Sequence, residues 1–430
     1  MSNTHHSQQG QARVRRAERF QIELRTLSLD QMLPLEHQAR NVWAYVESLD
    51  LSPLYQKIQA VEGTPGRDHT DPRIVLALWM FATIESVSSA RRIEKLTTRD
   101  TAYKWICGGV SVNHHMLSDF RSQQVEFLDE LLTDTIATLL HQGLVSLDVV
   151  AQDGMRVRAS AGTSSFRREE TLEKCRAEAQ QRVQQMQAER ESASDAAESS
   201  ARQDAARKRA AEDRAKRVEQ ALEELAELQE QKEKRKKGDG KKARASTTDP
   251  EARNMKMADG GFRPAYNVQF ATTGETRLIV SASVTNSGSD RGQMAPMHED
   301  LKRRYGQQAN EFLVDCGFAT KDDITALEQD GVEVHAPIYG EEKMRKKGTD
   351  PHARQKTDTD EMFAFRQRMA TEEAKSRYKE RPSIAEFPNA VCRNHGLTQF
   401  RLRGQSKVLG EVLLQALTYN FERQRHRGFI

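Results

Sequence analysis

The chain has 430 residues, of which 37% are hydrophobic and 30% are charged, and its 66 basic and 63 acidic residues leave a net charge of only +3. This length allows roughly two to four domains. No run of about 18 apolar residues is present, which excludes a membrane-spanning helix. The four cysteines lie far apart, so neither a disulfide framework nor a zinc knuckle is expected, and a reducing cytoplasm is the expected compartment.

The first 142 residues divide into a leader and a helical region. Residues 1–30 are polar and include a basic cluster, which is typical of a flexible leader. Residues 31–142 place apolar side chains at helical spacing. Asp71 followed by Pro72 predicts the start of one helix, with Asp as the N-cap and Pro at the first position. We expect a helical bundle of helix-turn-helix type over residues 31–142.

The pattern changes at Gly143. Residues 144–152 are rich in β-branched side chains and end at Asp153-Gly154, which predicts a strand followed by a turn. Residues 169–245 consist mostly of Ala, Glu, Gln, Arg and Lys and end in a basic run. This composition predicts a charged helical, coiled-coil-like insertion.

Alternating strands and helices follow the insertion. Without it, the predicted order is β-β-β-α-β-α-β-α, the order of a ribonuclease-H-like fold, which is a mixed sheet with helices on its faces. We therefore predict an α+β/α/β chain whose ribonuclease-H-like domain comprises residues 143–168 and 246–430. The strands after the insertion are predicted at residues 262–271, 276–285, 311–315 and 332–338, and the helices between them at about 292–304 and 320–330.

Carboxylates at the ends of neighbouring strands are candidates for a metal site. Phosphoryl transfer on nucleic acid commonly uses two divalent cations about 4 Å apart, and such hard cations prefer carboxylate ligands. Asp153 follows the first strand and Asp315 ends the fourth, which is its neighbour in this fold. Glu386 is the candidate for a third carboxylate from a later helix. An Asp after a strand is more often a turn former, and the rivals by composition are Asp148, Asp290, Asp300 and Glu380.

Seven segments together resemble the bacterial insertion-sequence DDE transposases. The most specific is STTDPEARNMKMADGGFRPAYNVQ at residues 246–269. The resemblance covers about residues 30–425, and a charged helical insertion after the first acidic segment is typical of this branch. The other segments, in family order, are HTDPR (69–73), CGGVSVNHHMLSDFR (107–121), VVAQDGMRVRASA (149–161), FLVDCGF (312–318), AEFPNA (385–390) and GLTQFRLRG (396–404).

The resemblance implies roles for individual residues. Asp153, Asp315 and Glu386 match the catalytic triad that binds two Mg²⁺ ions, which Mn²⁺ is able to replace. Tyr378, Arg381 and Glu386, followed by Arg393, resemble a Y-R-E-K signature with two departures. The gap between Arg381 and Glu386 is one residue longer than in the commonest form, and Arg393 stands where Lys is usual. The residues expected to contact DNA are Arg156, Arg158, Arg253, Lys256, Arg263, Tyr378, Arg381 and Arg393.

The resemblance also implies an activity and its partners. The expected reaction is metal-dependent cleavage at the ends of an insertion sequence, followed by strand transfer into target DNA. The expected partners are double-stranded DNA, as terminal inverted repeats and as target, and a second copy of the chain, since two ends must be joined. A bacterial cytoplasm with nucleoid association is the expected location. The open alternatives are a catalytically inactive DNA-binding protein, a ribonuclease-H-like nuclease without strand transfer, and a scaffold built around the insertion.

Overall fold

The computed structural model describes residues 26–58, 68–192 and 198–430, so most of the predicted leader lies outside the described residues. The predicted helical region is confirmed as helical. Asp71 accepts a 2.8 Å hydrogen bond from the backbone amide of Arg73 and so caps the helix that Pro72 opens. The helices of this region are α1 (Gln38–Ser48), α2 (Ser52–Tyr55), α3 (Pro72–Ile84), α4 (Ala90–Leu96), α5 (Thr101–Cys107), α6 (His114–Gln123) and α7 (Val125–His141).

The first long strand, β1 (Val149–Arg158), starts and ends later than predicted. Asp153 therefore lies in the middle of the strand, and the predicted turn at Asp153-Gly154 is wrong. Gly154 is not a turn former here: a Cβ atom at this position would clash with Asp290 Oδ1 and Gln269 Nε2. A glycine inside a strand can mark such a close approach.

The main sheet is mixed, and its central strand is β1. β1 pairs antiparallel with β5 (Phe262–Thr273), which pairs antiparallel with β6 (Ile279–Thr285). On its other side β1 pairs in parallel with β7 (Glu311–Leu313), which pairs in parallel with β8 (Glu333–His335). β7 lies within the strand predicted at residues 311–315, so the predicted adjacency of the first and fourth strands is confirmed. The short strands are β2 (Phe166–Arg167), β3 (Ala245–Ser246) and β4 (Arg253–Lys256), of which β4 pairs with β5.

The insertion forms two long helices, α8 (Glu169–Ser192) and α9 (Glu198–Arg235), that contact each other. A small apolar cluster at their base includes Leu172 from α8 and Leu225 from α9. Among the other side chains with described burial, the partly buried positions of the two helices are mostly alanine and polar residues. The insertion is therefore fixed at its base, where α9 meets the segment around β3 and β4.

The C-terminal helices join the helical region to the sheet. Buried side chains from both parts belong to one continuous hydrophobic core, and α16 contacts α3, α6 and α7 on one side and β6 on the other. None of the helices within the described residues is long and apolar enough to cross a bilayer. These later helices are α10 (Met294–Tyr305), α11 (Lys321–Gln329), α12 (Glu341–Lys346), α13 (Asp360–Ala370), α14 (Glu372–Tyr378), α15 (Phe387–Asn394) and α16 (Gln405–Arg427).

Candidate active site

Two carboxylates lie side by side on neighbouring strands. β1 and β7 run in parallel with Ala151 opposite Leu313, and Asp153 and Asp315 each come two residues later. Burial raises the pKa of the Asp153 carboxyl, the Arg381 charge opposes this rise, and the negative charge of Asp315 adds to it. Neighbouring strands of a sheet lie about 4.8 Å apart. The parallel register therefore places Asp153 and Asp315 at adjacent positions, with Asp315 just beyond the end of β7.

Arg381 connects Asp153 to the third carboxylate. Its Nη2 atom lies 2.8 Å from Asp153 Oδ1, and its Nη1 atom lies 3.2 Å from Glu386 Oε1. The Arg381 side chain is buried, whereas more than half of the Glu386 side chain is exposed. One guanidinium thus holds two acidic side chains that are far apart in the sequence.

A π-helical turn at Pro382–Glu386 positions Glu386. A π turn widens a helix to i→i+5 bonding, and such turns are frequent at functional sites. Arg381 and Glu386 are five residues apart, so this turn places them on the same face. The extra residue between Arg381 and Glu386 is accommodated here as the widened turn.

Asn389 also belongs to the site, although it was not predicted from the sequence. Its Nδ2 atom donates a 2.7 Å hydrogen bond to Asp153 Oδ2, while its buried Oδ1 atom has no hydrogen-bond partner among the described residues. The available signal was its position three residues after Glu386, on the same side of the helix. Asp153 is therefore held by Arg381 at one carboxylate oxygen and by Asn389 at the other.

Tyr378 is the last residue of α14 and precedes Arg381 by three residues. Burial raises the pKa of the Tyr378 phenol, Arg381 opposes this, and the charges of Asp315 and Glu386 add to the rise. Of the four positions that resemble the Y-R-E-K signature, Arg381 and Glu386 contact each other at the acidic site, whereas Arg393 lines a neighbouring cavity.

A cationic cavity of about 750 Å³ opens next to Asp153. Its lining includes Gly154, the residue that follows Asp153 on β1. The cations on its walls are Arg156, Arg158, Lys256, Arg263 and Arg393. Five of the eight residues predicted to contact DNA therefore line one cavity.

The cations of this cavity differ in whether they already have a partner. Arg156 lies 3.2 Å from Asp290 Oδ2, and Arg263 lies 2.7 Å from Asp259 Oδ2. By contrast, the side chains of Arg158, Lys256 and Arg393 form no hydrogen bond or ion pair with any residue that the structure describes. Unpaired cations on one wall are suited to an anionic ligand with several charges.

Comparison with protein-family models gives two matches along the chain. A model described as "Transposase domain (DUF772)" matches residues 27–123, and one described as "Transposase DDE domain" matches residues 237–421. Together they cover about two thirds of the chain. The chain belongs to the insertion-sequence DDE transposases. No curated protein and no solved structure gave a significant match.

The second matched range contains only two of the three candidate catalytic carboxylates of this transposase. It begins near the end of the insertion and includes Asp315 and Glu386, whereas Asp153 precedes the insertion and lies outside it. The assignment of Asp153 thus depends on the geometry: its strand pairs with β7, and its carboxylate shares Arg381 with Glu386.

The donor atoms of the site fit a hard divalent cation. Asp153, Asp315 and Glu386 offer carboxylate oxygens, and Asn389 Oδ1 is an unpartnered amide oxygen beside them. Mg²⁺ and Mn²⁺ prefer such oxygen ligands to thiols. The three carboxylates do not form one tight cluster, since the Arg381 guanidinium lies between Asp153 and Glu386.

A tighter group of possible ligands lies elsewhere on the transposase. Among the residues with described positions, the group whose ligand atoms lie within 4.8 Å of one another is His298, Glu299 and Asp330. Lys302 Nζ lies 2.7 Å from Asp330 Oδ2 and 3.4 Å from Glu299 Oε1. His298 Nε2 also lies 2.9 Å from Asp330 Oδ2. Because the carboxylates already have these partners and an ammonium sits between them, we do not assign a metal site to this group.

Arg253 is not brought to the cationic cavity. It lies on β4 with Lys256, and residues three apart on a strand point to opposite faces. Arg253 Nη1 donates to the carbonyl oxygens of Pro250 and Glu251 at 2.9 Å, and Nη2 pairs with Glu224 of the insertion. Its donors are therefore used within the protein, where they fix α9 to the segment of residues 246–269.

The rival carboxylates have partners of their own. Asp290 does not cap α10 with its side chain; it accepts hydrogen bonds from Asn267 and Gln269 and pairs with Arg156. Residues in these roles have structural explanations that need no metal. The other rivals pair with Asn310 (Asp148), with Arg303 and Arg304 (Asp300), and with Arg377 (Glu380).

Proposed function

We propose that this transposase cuts DNA at the ends of its element and joins the freed 3′-hydroxyl to target DNA. The observation that carries the proposal is the convergence of Asp153, Asp315 and Glu386 beside a cavity with unpaired cations. Acidic side chains for hard cations, next to basic side chains for phosphates, are the two parts that phosphodiester chemistry requires.

The three carboxylates would hold two Mg²⁺ ions, or Mn²⁺ in their place. When bound, these ions neutralise charge on the attacking and leaving oxygens of an in-line displacement. The protein orients the carboxylates: Asn389 fixes one oxygen of Asp153, and the π turn directs Glu386 toward Arg381. Arg381 and Tyr378 would contact the scissile phosphate or its neighbours.

The cationic cavity would hold the DNA backbone. Arg158, Lys256 and Arg393 are free to contact phosphates, and each contact releases a condensed counterion. Arg156 and Arg263 would contribute charge from the same wall while keeping Asp290 and Asp259 as partners. Arg393 would bind phosphate as a planar fork rather than as the point charge of a lysine.

The helical region and the insertion would serve the joining of two element ends to target DNA. We propose that the helical region at residues 31–142 reads the terminal inverted repeats, with one helix in the major groove. Two ends cut and joined together require at least a dimer on DNA, and the helical insertion is a candidate for the pairing surface. Association with the bacterial nucleoid would follow from DNA binding.

Incubation of the full chain with Mg²⁺ and a duplex carrying the inverted repeat of its own element tests the proposal. The expected products are a cut with a 3′-hydroxyl at the element end and a joined product with a second duplex. Cutting without dependence on the repeat and without joining would instead identify a simple nuclease. Specific binding without any cutting would identify an inactive DNA-binding protein.

A further inference from the structure

Two arginines without carboxylate partners among the described residues lie over an aromatic ring next to the acidic site. The guanidinium carbons of Arg277 and Arg423 lie 5.7 Å and 5.5 Å from the ring centre of Phe387, the residue that directly follows Glu386. Arg427 lies one helical turn beyond Arg423 on α16. We call Arg277, Arg423 and Arg427 the arginine cluster. None of the three lines the cationic cavity.

The positive charges of the arginine cluster are not balanced. Arg423 Nε and Nη2 donate to the carbonyl oxygen of Thr276 at 3.3 Å and 3.0 Å, and Arg427 donates to that of Glu275. No cluster member forms an ion pair with a carboxylate in the described parts of the chain. Burial lowers the pKa of Arg423, Tyr419 opposes this, and the neighbouring charges of Arg427 and Arg277 add to the lowering.

The backbone at Arg277 is unusual for an arginine. Its φ angle is +58°, a left-handed conformation that glycine or asparagine adopts more readily than other residues. Tyr419 donates a 2.7 Å hydrogen bond to the carbonyl oxygen of Arg277 and holds the turn. The chain thus carries a long cation at a position where glycine or asparagine would be less strained.

The arginine cluster and the cationic cavity lie at opposite ends of β1. The turn that carries Arg277 meets the start of the strand, where the Gly274 amide donates to the Val149 carbonyl at 2.8 Å. The cavity is lined by the far end of the strand, including Arg158. At about 3.3 Å per residue the two ends are roughly 30 Å apart, and Asp153 lies between them.

We propose that Arg277, Arg423 and Arg427 bind a second run of DNA backbone phosphates, on the opposite side of the acidic site from the cationic cavity. The inference rests on the proposed function, because a centre that joins two DNAs needs phosphate contacts on both sides. Charge complementarity favours nucleic acid: three cations without acidic partners match a polyanion. The phosphates belong either to target DNA or to donor DNA beyond the cut.

Salt dependence of DNA binding tests this inference without requiring catalysis. The test variant is Arg277→Asn/Arg423→Gln/Arg427→Gln, in which Asn suits the positive φ and Gln keeps a donor for the carbonyl groups. The matched control is Arg303→Gln/Arg345→Gln/Arg354→Gln, which removes three exposed arginines that each pair with a nearby acid. Binding of each full-length protein to a labelled duplex is measured without divalent ions over a range of salt concentrations.

The plot of log affinity against log salt has a negative slope, and its magnitude should decrease by about 0.9 for each phosphate that the protein no longer neutralises. We therefore expect a decrease of roughly 2 to 3 in the test variant and little change in the control. A wild-type slope in the test variant would overturn the inference. Weaker binding confined to a duplex without the inverted repeat identifies target DNA as the ligand, and weaker binding confined to the end-carrying duplex identifies donor DNA.

Two further outcomes are distinguishable. An unchanged slope with an altered oligomeric state would show that the arginine cluster binds a second copy of the chain, which contradicts the inference. A wild-type protein that binds but never cuts would refute the proposed function, while a reduced slope in its test variant would still support a second phosphate-binding surface.

Discussion

Asn389 donates a 2.7 Å hydrogen bond from its Nδ2 atom to Asp153 Oδ2. Because Arg381 Nη2 binds the other oxygen of the same carboxylate, the orientation of Asp153 is set by two donors from one short stretch of chain. Side chains that orient metal ligands commonly affect metal affinity by 10- to 100-fold.

Replacement of Asn389 by Leu should therefore weaken metal binding rather than abolish the chemistry. Leu has a similar volume and no donor, so Asp153 loses its fixed orientation. We expect the Mg²⁺ concentration for half-maximal cleavage to rise by about 10- to 100-fold, with partial recovery of the rate at high Mg²⁺. Asn394→Leu, an exposed position on the same helix, is the control, and an equal change in both variants would refute the role of Asn389.

Replacement of Arg381 by Gln should make the fold depend more on divalent ions. The variant removes the shared counter-charge of Asp153 and Glu386, and a charged hydrogen bond is worth roughly 1.5 to 3 kcal/mol. Without divalent ions the variant should melt at a lower temperature than wild type. Added Mg²⁺ should raise its melting temperature more than it raises that of wild type, and an equal rise in both proteins would contradict this.

His335 should make stability depend on pH. Burial, together with the nearby charge of Arg368, lowers the pKa of this histidine from 6.5 to about 4. Below about pH 6.5 this histidine is protonated in the unfolded chain but not in the folded protein. The contribution of His335 to the free energy of unfolding is therefore constant above about pH 6.5 and falls as the pH decreases toward 4.

The free energy of unfolding should fall by up to roughly 3 kcal/mol over this window because of His335. Urea denaturation at pH 7 and pH 5 measures this difference. His335→Gln should reduce it, whereas His141→Gln, at an exposed position, should not. The same pH dependence in wild type and His335→Gln would show that other groups are responsible.

A buried ion pair links the helical region to α16. Arg121 Nη1 lies 3.6 Å from Glu411 Oε2, both side chains are buried, and the guanidinium lies 4.3 Å from the ring centre of Trp79. Arg121→Met leaves the Glu411 charge buried without its partner, which typically costs about 3 to 5 kcal/mol.

Adding Glu411→Gln to Arg121→Met should recover part of this loss, because the unpaired charge is removed. Urea denaturation of the two single variants and the double variant gives the coupling energy, which we expect to exceed roughly 1 kcal/mol. Additive losses would show that the two side chains act independently.

The order of the long elements along the chain and the candidate carboxylates could be predicted from the sequence, because β-branched runs, turn residues and the transposase-like segments mark them locally. The adjacency of β1 and β7 followed from the fold and is confirmed. The position of Asp153 within its strand was missed, because Gly154 looks like a turn residue while its actual neighbour, Asp290, is distant in sequence.

The finer features of the site depend on contacts that no local pattern records. The hydrogen bond from Asn389 joins two residues separated by 236 positions, and the ion pair of Arg253 is with the insertion. The π turn appeared in the sequence only as one extra residue between Arg381 and Glu386. Its consequence for their geometry required the helix to be seen.

The central claim is that Asp153, Asp315 and Glu386 carry out metal-dependent cleavage, and Asp315→Asn tests it most directly. Cleavage of a duplex with the element's own inverted repeat is measured with Mg²⁺ for wild type, Asp315→Asn and the control Asp322→Asn, an exposed aspartate on α11. Wild type and the control should cut, and Asp315→Asn should cut at least about 10³-fold more slowly, since several kcal/mol of charge stabilisation is lost. Equal cutting by Asp315→Asn and wild type would contradict the assignment of the triad.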